Sequence, residues 1–421
     1  MLDVNLIRNN PERVKEGLLK KKVDPKLVDK FLRLDEEWRN KTRALDDLSA
    51  EQNLVSREMG RNQSQDLLSK AQILKQRISD IESERDVLTS KRDDLLNKFP
   101  NLPFDDVPVG KDEAENKVLK NAGKKRDFKF KPKDYLSLAE HLGIINVKKA
   151  TEISGSRFGY LMGDAALLEF GLVKLAFDTL IKEGFVPVVP PVMISPQVYK
   201  EMGRLSSDQK EDKYFLPKDE LYLVGSSEHT LGPLGRGEVF EESSLPRRYV
   251  GFSTCFRREA GSYGKDTKGI LRVHQFDKVE MYSFVKPEDS EKEHKFLLSM
   301  QEKLVGSLDL PYRVVEICTG DMGWTDARQF DVETWMPGQG ENGEYRETNS
   351  CSNTTDFQTR GINAKFKNKE GKKELLHALN ATGFAVGRML IAIIENYQTE
   401  NGEIEVPKVL REYLGKDKIK I

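Results

Sequence analysis

The run FRREAGSYGKDTKGILRVHQFDKVE, residues 256–280, decides the reading of this chain. VGFSTC precedes it and MYSF follows, so two strand-like stretches, 250–256 and 272–284, flank a polar loop containing Gly261, Gly264 and Gly269. Alternating runs joined by a glycine-bearing loop predict a long antiparallel hairpin. Side chains alternate along a strand, so Arg257 and Glu259 share one face, and Arg272, His274, Phe276, Lys278 and Glu280 share one face of the returning strand. An aromatic ring among cations and carboxylates makes a poor core and a good floor for a nucleotide and an amino acid. The same alternation also suits a solvated outer sheet face.

A second arginine stands in NATGFAVGRMLIAIIENYQ, residues 380–398. There Met389, Leu390, Ile391, Ile393 and Ile394 read as core, and Arg388 at the helix start is a costly orphan unless an anion meets it. A guanidinium fork is the side chain best matched to phosphate or carboxylate, so two arginines in ordered elements point to a nucleotide site. The chain contains no GxxxxGK[ST] run, which argues against the usual phosphate-loop fold.

The bulk numbers are those of an ordinary folded protein: 421 residues, 38% hydrophobic and 33% charged. Lys+Arg 68 against Asp+Glu 69 leaves almost no net charge, so any contact with nucleic acid rests on local patches. The N-terminus has no apolar core suited to a signal peptide, and no stretch approaches the ~20 apolar residues of a membrane span, so a cytoplasmic location without membrane contact is expected. Cys255, Cys318 and Cys351 form no CxxC pair and read as buried small hydrophobes.

Upstream, Leu27, Phe31, Leu34, Trp38, Leu45, Leu48, Val55 and Met59 follow a 4-3 alternation broken at Lys41 and Gln52. A second seam runs through Leu67, Ala71, Leu74, Ile78, Ile81, Leu88, Leu95 and Phe99, broken at Arg85 and Arg92. The polar segment 60–65 between them reads as the tip of an antiparallel helical hairpin, each helix roughly 50 Å long at 1.5 Å per residue. Such a length predicts a projecting arm at about 27–99 within an N-terminal domain, 1–110. The lysine-rich stretch 111–134 reads as a basic linker, and 135–421 as one α+β domain.

The hairpin string resembles motif 2 of the class II aminoacyl-tRNA synthetases, and the seryl-tRNA synthetase version in particular. KEGFVPVVPPV, residues 182–192, resembles motif 1, and residues 380–398 resemble motif 3. Between them, Gly225-Ser226-Ser227-Glu228 resembles the family's Thr-x-Glu loop, and RETNSCS, residues 346–352, resembles its ETxSCS strand. The resemblance implies an α+β fold: a class II antiparallel β-sheet catalytic domain flanked by helices, with an N-terminal antiparallel helical hairpin arm. Motif 1 would span about 182–193, motif 2 about 250–284 and motif 3 about 380–398.

By similarity, Arg257 and Arg388 are the catalytic arginines. Arg257 holds the amino-acid carboxylate and the ATP α-phosphate, and Arg388 meets the terminal phosphates. Serine falls to Ser226, Ser227, Glu228, Arg257, Glu280 and Thr382, with Glu228 at the ammonium group and Glu280 and Thr382 at the hydroxyl. ATP falls to Arg257, Arg258, Glu259, Val273, Phe276, Glu347, Thr348, Asn349, Ser350 and Arg388. Within that set Phe276 stacks on adenine, Glu259 helps fix the base, and Glu347 and Ser350 hold Mg2+.

The implied reaction makes seryl-adenylate from L-serine and ATP, then transfers serine to the 3′ end of tRNA(Ser), with tRNA(Sec) as a second candidate acceptor. The arm grips the tRNA across a homodimer, Pro191 lies at the dimer interface, and the loop 262–268, with Lys265 and Lys268, touches the acceptor end. Two departures stand out. Ser226 replaces the threonine of many bacterial members, and no Cys/His cluster supports the zinc site of the methanogen-type relatives, so magnesium alone is expected. The rival readings are a synthetase-like enzyme charging a carrier protein, which would lack the arm, and an inactive RNA-binding homologue, which would have lost Arg257, Glu280 or Arg388.

Overall fold

The computed structural model describes residues 1–62, 64–260 and 268–421, without the side chains of residues 207 and 208. The chain divides into two compact units, Leu2–Pro100 and Asn101–Ile421, the second including Met1.

In the first unit α1 (Lys26–Met59) and α2 (Gln65–Leu96) form the antiparallel hairpin. α2 begins where Ser64 Oγ accepts the Leu67 N–H at 3.2 Å, a standard N-cap. The seams meet as expected: Leu48, Val55 and Leu74 are buried together, with Met59, Leu67, Ala71, Ile78 and Ile81 against them. Two of the polar breaks, Lys41 and Arg92, have partners across the hairpin. Lys41 pairs with Glu84 across the hairpin, and Arg92 Nε donates to Asp35 Oδ1 at 2.8 Å. Asp35 is fully buried and also accepts from Arg8 Nε and Nη2, both at 2.8 Å, and from Arg39 Nε at 3.1 Å.

The second unit is built on an eight-stranded sheet. Its strands are β1 (Lys117–Ala122), β2 (Val186–Val188), β3 (Arg247–Phe256), β4 (Gln275–Val285), β5 (Tyr312–Glu316), β6 (Arg328–Met336), β7 (Glu344–Asn353) and β8 (His377–Ala385). Their order is β1-β5-β6-β7-β8-β4-β3-β2, antiparallel throughout except where β2 joins β3. The motif 2 hairpin is thus β3 and β4, with Phe276 opposite Cys255 and Glu280 opposite Gly251.

Three helices complete the main core: α3 (Asp164–Lys182), α4 (Ser290–Ser307) and α5 (Val386–Asn396). Leu168, Leu172 and Leu180 from α3, Leu297 and Leu304 from α4, and residues 389–394 from α5 pack with Val279, Met281, Leu379 and Ala381 of the sheet. These side chains occupy one sheet face, so the polar residues that alternate with them, Lys278 and Glu280, turn to the other. Cys255, Cys318 and Cys351 are free and buried. Among the described residues no helix is long and apolar enough to cross a membrane.

The stretch 111–134 differs from the expected linker. Six of its residues form β1, paired with β5 from Lys117 opposite Glu316 to Ala122 opposite Tyr312. Two of its cations lie on aromatic rings, Lys125 Nζ 3.2 Å from the Trp335 centroid and the Arg126 guanidinium 3.8 Å from that of Tyr397. Packing of this kind gives a basic run a structural role without a carboxylate partner.

Candidate active site

β4 carries the floor of the site. Phe276, Lys278, Arg257 and Glu259 line one side of a pocket, with Val273 beside them, and Glu347, Thr348, Ser350, Thr382 and Arg388 line the other. Residues from two motif strands, the ETxSCS-like strand and the motif 3 helix therefore converge, although in the chain they run from Arg257 to Arg388.

At the Phe276 end, the Arg257 guanidinium lies 5.2 Å from the Phe276 ring centroid, and its Nε donates to the Gly225 carbonyl at 3.2 Å. Glu259, at φ +54°, accepts from Arg272 Nη1 at 2.7 Å. Arg388 Nη1 donates to the Glu347 carbonyl at 2.7 Å and to its carboxylate at 3.0 Å, which ties the first turn of α5 to β7. Tyr135 supports the loop end, its hydroxyl accepting the Ile270 N–H at 2.7 Å.

Three ATP-site candidates turn elsewhere. Arg258 lies over Tyr214, 5.2 Å from its ring centroid. The Thr348 hydroxyl meets that of Thr334 at 2.8 Å inside the sheet, so this residue offers the pocket its backbone. Asn349 Nδ2 donates to the Thr382 and Gly383 carbonyls at 3.1 and 2.7 Å and bolts β7 to β8.

At the other end Thr382 stands opposite Glu280 across β8 and β4, and its hydroxyl donates to Glu280 Oε2 at 3.4 Å. Lys278 Nζ meets the same oxygen at 2.6 Å. Burial still holds the Glu280 carboxyl above its ordinary range, with Lys278 pulling against it.

Glu228 is buried in the short helix Glu228–Leu231. It accepts from Arg204 Nη2 at 2.7 Å and from Gln358 Nε2 at 2.7 Å, while Tyr282 OH holds the Gln358 amide from behind at 2.9 Å. Burial works to raise the Glu228 carboxyl, but Arg204 and Gln358 outweigh it and keep the group below the usual carboxylate range. Ser226 Oγ accepts the Glu228 N–H at 3.2 Å, and Ser227 Oγ donates to the Gly251 carbonyl at 3.5 Å, so both hydroxyls shape the loop. Tyr199 OH and the Gly225 N–H both address His229 Nδ1, at 3.0 and 3.3 Å, and burial drives this imidazole well below its ordinary value, keeping it neutral.

Arg204, Gln358 and Lys213 escaped sequence reasoning because they lie outside the motif strings. Gly203, at φ +69° with Phe357 only 2.6 Å from where a Cβ would sit, turns the chain that delivers Arg204. That glycine is the one local signal. Residues 261–267 of the loop expected to touch an acceptor lie outside the described residues.

Among the described residues no cluster of three or more His, Cys, Asp or Glu could hold a metal ion by itself. Glu347 and Ser350 line the pocket with a carboxylate and a hydroxyl, oxygen donors of the kind a hard cation takes.

Comparison with known proteins identifies the family. Residues 213–397 match the tRNA synthetase class II core domain (G, H, P, S and T), and residues 1–103 match the seryl-tRNA synthetase N-terminal domain. A serine–tRNA ligase of Dictyoglomus turgidum is 40% identical, covering 100% of this chain and 99% of its own. The crystal structure of a seryl-tRNA synthetase from Pyrococcus horikoshii complexed with ATP has a TM-score of 0.91 at 40% identity, over 100% of this chain and 99% of that one. A cytoplasmic serine–tRNA ligase of Naegleria fowleri in complex with AMP gives 0.87 at 34% identity, with the same coverage. With full-length relatives of this kind, this chain belongs to the seryl-tRNA synthetases, a family of class II aminoacyl-tRNA ligases.

Proposed function

We propose that the chain activates L-serine with ATP to give seryl-adenylate and pyrophosphate, then transfers serine to the 3′-terminal ribose of tRNA(Ser). The observation that carries this reading is the division of the site. Arginines that suit phosphate flank the Phe276 end, and a carboxylate with a hydroxyl, Glu280 and Thr382, meets at the other. A site that hydrogen-bonds a hydroxyl penalises alanine by leaving buried polar groups unpaired, while threonine is excluded by size.

In this reading Arg257 clamps the serine carboxylate and the α-phosphate, and stabilises charge as the carboxylate attacks phosphorus in line. Phe276 stacks on adenine, Glu259 helps fix the base, and Arg388 takes the terminal phosphates. Glu228, held ionised by Arg204 and Gln358, receives the ammonium group. Glu280 and Thr382 take the serine hydroxyl. Glu347 and Ser350 would hold a magnesium ion, which supplies charge neutralisation between phosphates. The rate comes from positioning and electrostatics and needs little side-chain acid–base chemistry.

The paired helices are assigned to the tRNA, which they would recognise by shape more than by sequence. A homodimer is supported by apolar surface on α3 and in the motif 1 string: Leu167, Phe170 and Val189 are 46%, 66% and 83% exposed. The work is assigned to the cytoplasm. Purified enzyme with ATP, serine and tRNA(Ser) is expected to give seryl-tRNA. Adenylate formation without seryl-tRNA would move the acceptor to another molecule, such as a carrier protein.

A further inference from the structure

Lys213 sits where the described site has charge to spare. Its chain neighbours are fixed on both sides. The Asp212 carbonyl accepts the Arg258 N–H at 3.0 Å, its carboxylate accepts the Ala260 N–H at 3.3 Å, and the Tyr214 carbonyl accepts the Leu223 N–H at 2.9 Å. Tyr214 turns its ring to Arg258 and His274. Lys213 turns inward, with a side chain 12% exposed and Nζ 5.9 Å from the Tyr199 ring centroid.

The acids nearby are committed elsewhere. Glu228 is engaged by Arg204 at 2.7 Å and Glu280 by Lys278 at 2.6 Å. Among the described residues the one carboxylate within ion-pairing reach of Lys213 is Asp212, at 3.7 Å, too long for a hydrogen bond. Arg257, a close charged neighbour of Lys213, has no carboxylate within ion-pairing distance among the described residues. Two cations held side by side and largely out of water repel each other unless an anion lies between them.

We infer that Lys213 is a second cation for the substrate carboxylate, acting beside Arg257. The inference rests on the serine-activating reading of this site and adds a residue to it. The groups facing Lys213 are Asp212 on its own segment, Tyr199 and Arg204 from the preceding one, Glu228 and the neutral His229 from the Thr-x-Glu-like loop, and Arg257 from the end of β3. Burial first, and Arg257 second, lower the ammonium to about 8. Its charge is therefore full at neutral pH and lost as pH rises through that value, and serine affinity falls with it.

The test is serine-dependent ATP–pyrophosphate exchange by the full-length enzyme and its Lys213→Met and Lys213→Arg variants, across the range from about pH 6.5 to 9. Lys213→Met is expected to raise the KM for serine ~10-fold at neutral pH and to leave the KM for ATP within about twofold. The wild-type KM for serine is expected to rise roughly threefold between about pH 7 and 8.5, a limb absent from both variants because neither side chain titrates there. Lys213→Arg keeps the charge and is expected to restore most of the neutral-pH affinity. An unchanged serine KM in Lys213→Met overturns the assignment alone. Equal damage to the serine and ATP constants in both variants would also overturn it, as a structural role. A wild-type enzyme without serine-dependent exchange overturns the reading of the site, and this assignment falls with it.

Discussion

Two buried charge clusters, one in each unit, are built from the same side chains and differ in how completely they are closed. In the N-terminal unit Asp35 is wholly buried under Arg8, Arg39 and Arg92, whose guanidinium also lies 4.8 Å from the Trp38 ring centroid. Burial pushes the Asp35 carboxyl up, and the hydrogen bonds from Arg8 and Arg92 more than reverse it. Every strong acceptor there is taken. In the catalytic unit Arg204 with Glu228 and Lys278 with Glu280 are likewise paired, yet Arg257 and Lys213 remain without a close carboxylate among the described residues. A closed cluster fixes a fold, and an open one awaits a ligand. Sites of the second kind accept unfavourable electrostatics in the free protein, which the substrate relieves.

The largest effect is expected from opening the catalytic cluster further. Arg257→Ala removes the clamp on both reacting groups and is expected to lower serine-dependent exchange by about a thousandfold. Its thermal unfolding should stay close to wild type, because no carboxylate among the described residues loses a partner. Near-normal exchange would show that the wrong arginine had been chosen.

Next comes the separation of the units. Replacing the distal part of the hairpin, residues 45–81, by a short loop is expected to leave exchange within about twofold and to reduce tRNA charging at least ~100-fold, since it deletes shape recognition while sparing the sheet. Equal charging by the shortened enzyme would remove the assigned role of the arm.

The smallest catalytic effect is expected from breaking the closed cluster. Asp35→Asn leaves three arginines around a neutral amide and should destabilise the N-terminal unit by about 3 kcal/mol, the range found when one partner of a buried ion pair is removed. Hydrogen exchange should show the loss in α1 and α2, and ATP–pyrophosphate exchange should stay at the wild-type rate. A parallel fall in both would mean that the two clusters are not independent.

Much of this architecture was legible beforehand because its signals are local. The heptad seams located α1 and α2 and the turn between them, and the alternation 250–256 and 272–284 located β3 and β4 to within three residues at each end. Arg388 was expected at a helix start and lies in the first turn of α5. What stayed hidden depends on distant partners. Arg92 read as a break in a seam because Asp35 lies 57 positions away. β1 read as linker because its side chains are almost all exposed and show no apolar alternation, so only pairing with β5 makes it a strand.

The candidate site was legible where strings matched and silent between them. Arg204 and Gln358 act on Glu228 from other segments, 24 and 130 positions away, and apart from Gly203 beside Arg204 nothing around either marks it as a site residue. Arg258 lies over Tyr214, although resemblance counted it with the ATP ligands.

The account stands most directly on amino-acid selectivity in the activation step. ATP–pyrophosphate exchange measured on the wild-type enzyme with serine, threonine and alanine side by side is expected to favour serine by ~100-fold or more over both, because one rival lacks the hydroxyl that Glu280 and Thr382 address and the other adds a methyl group to a filled pocket. Comparable exchange with alanine or threonine, or exchange indifferent to all three, would contradict it.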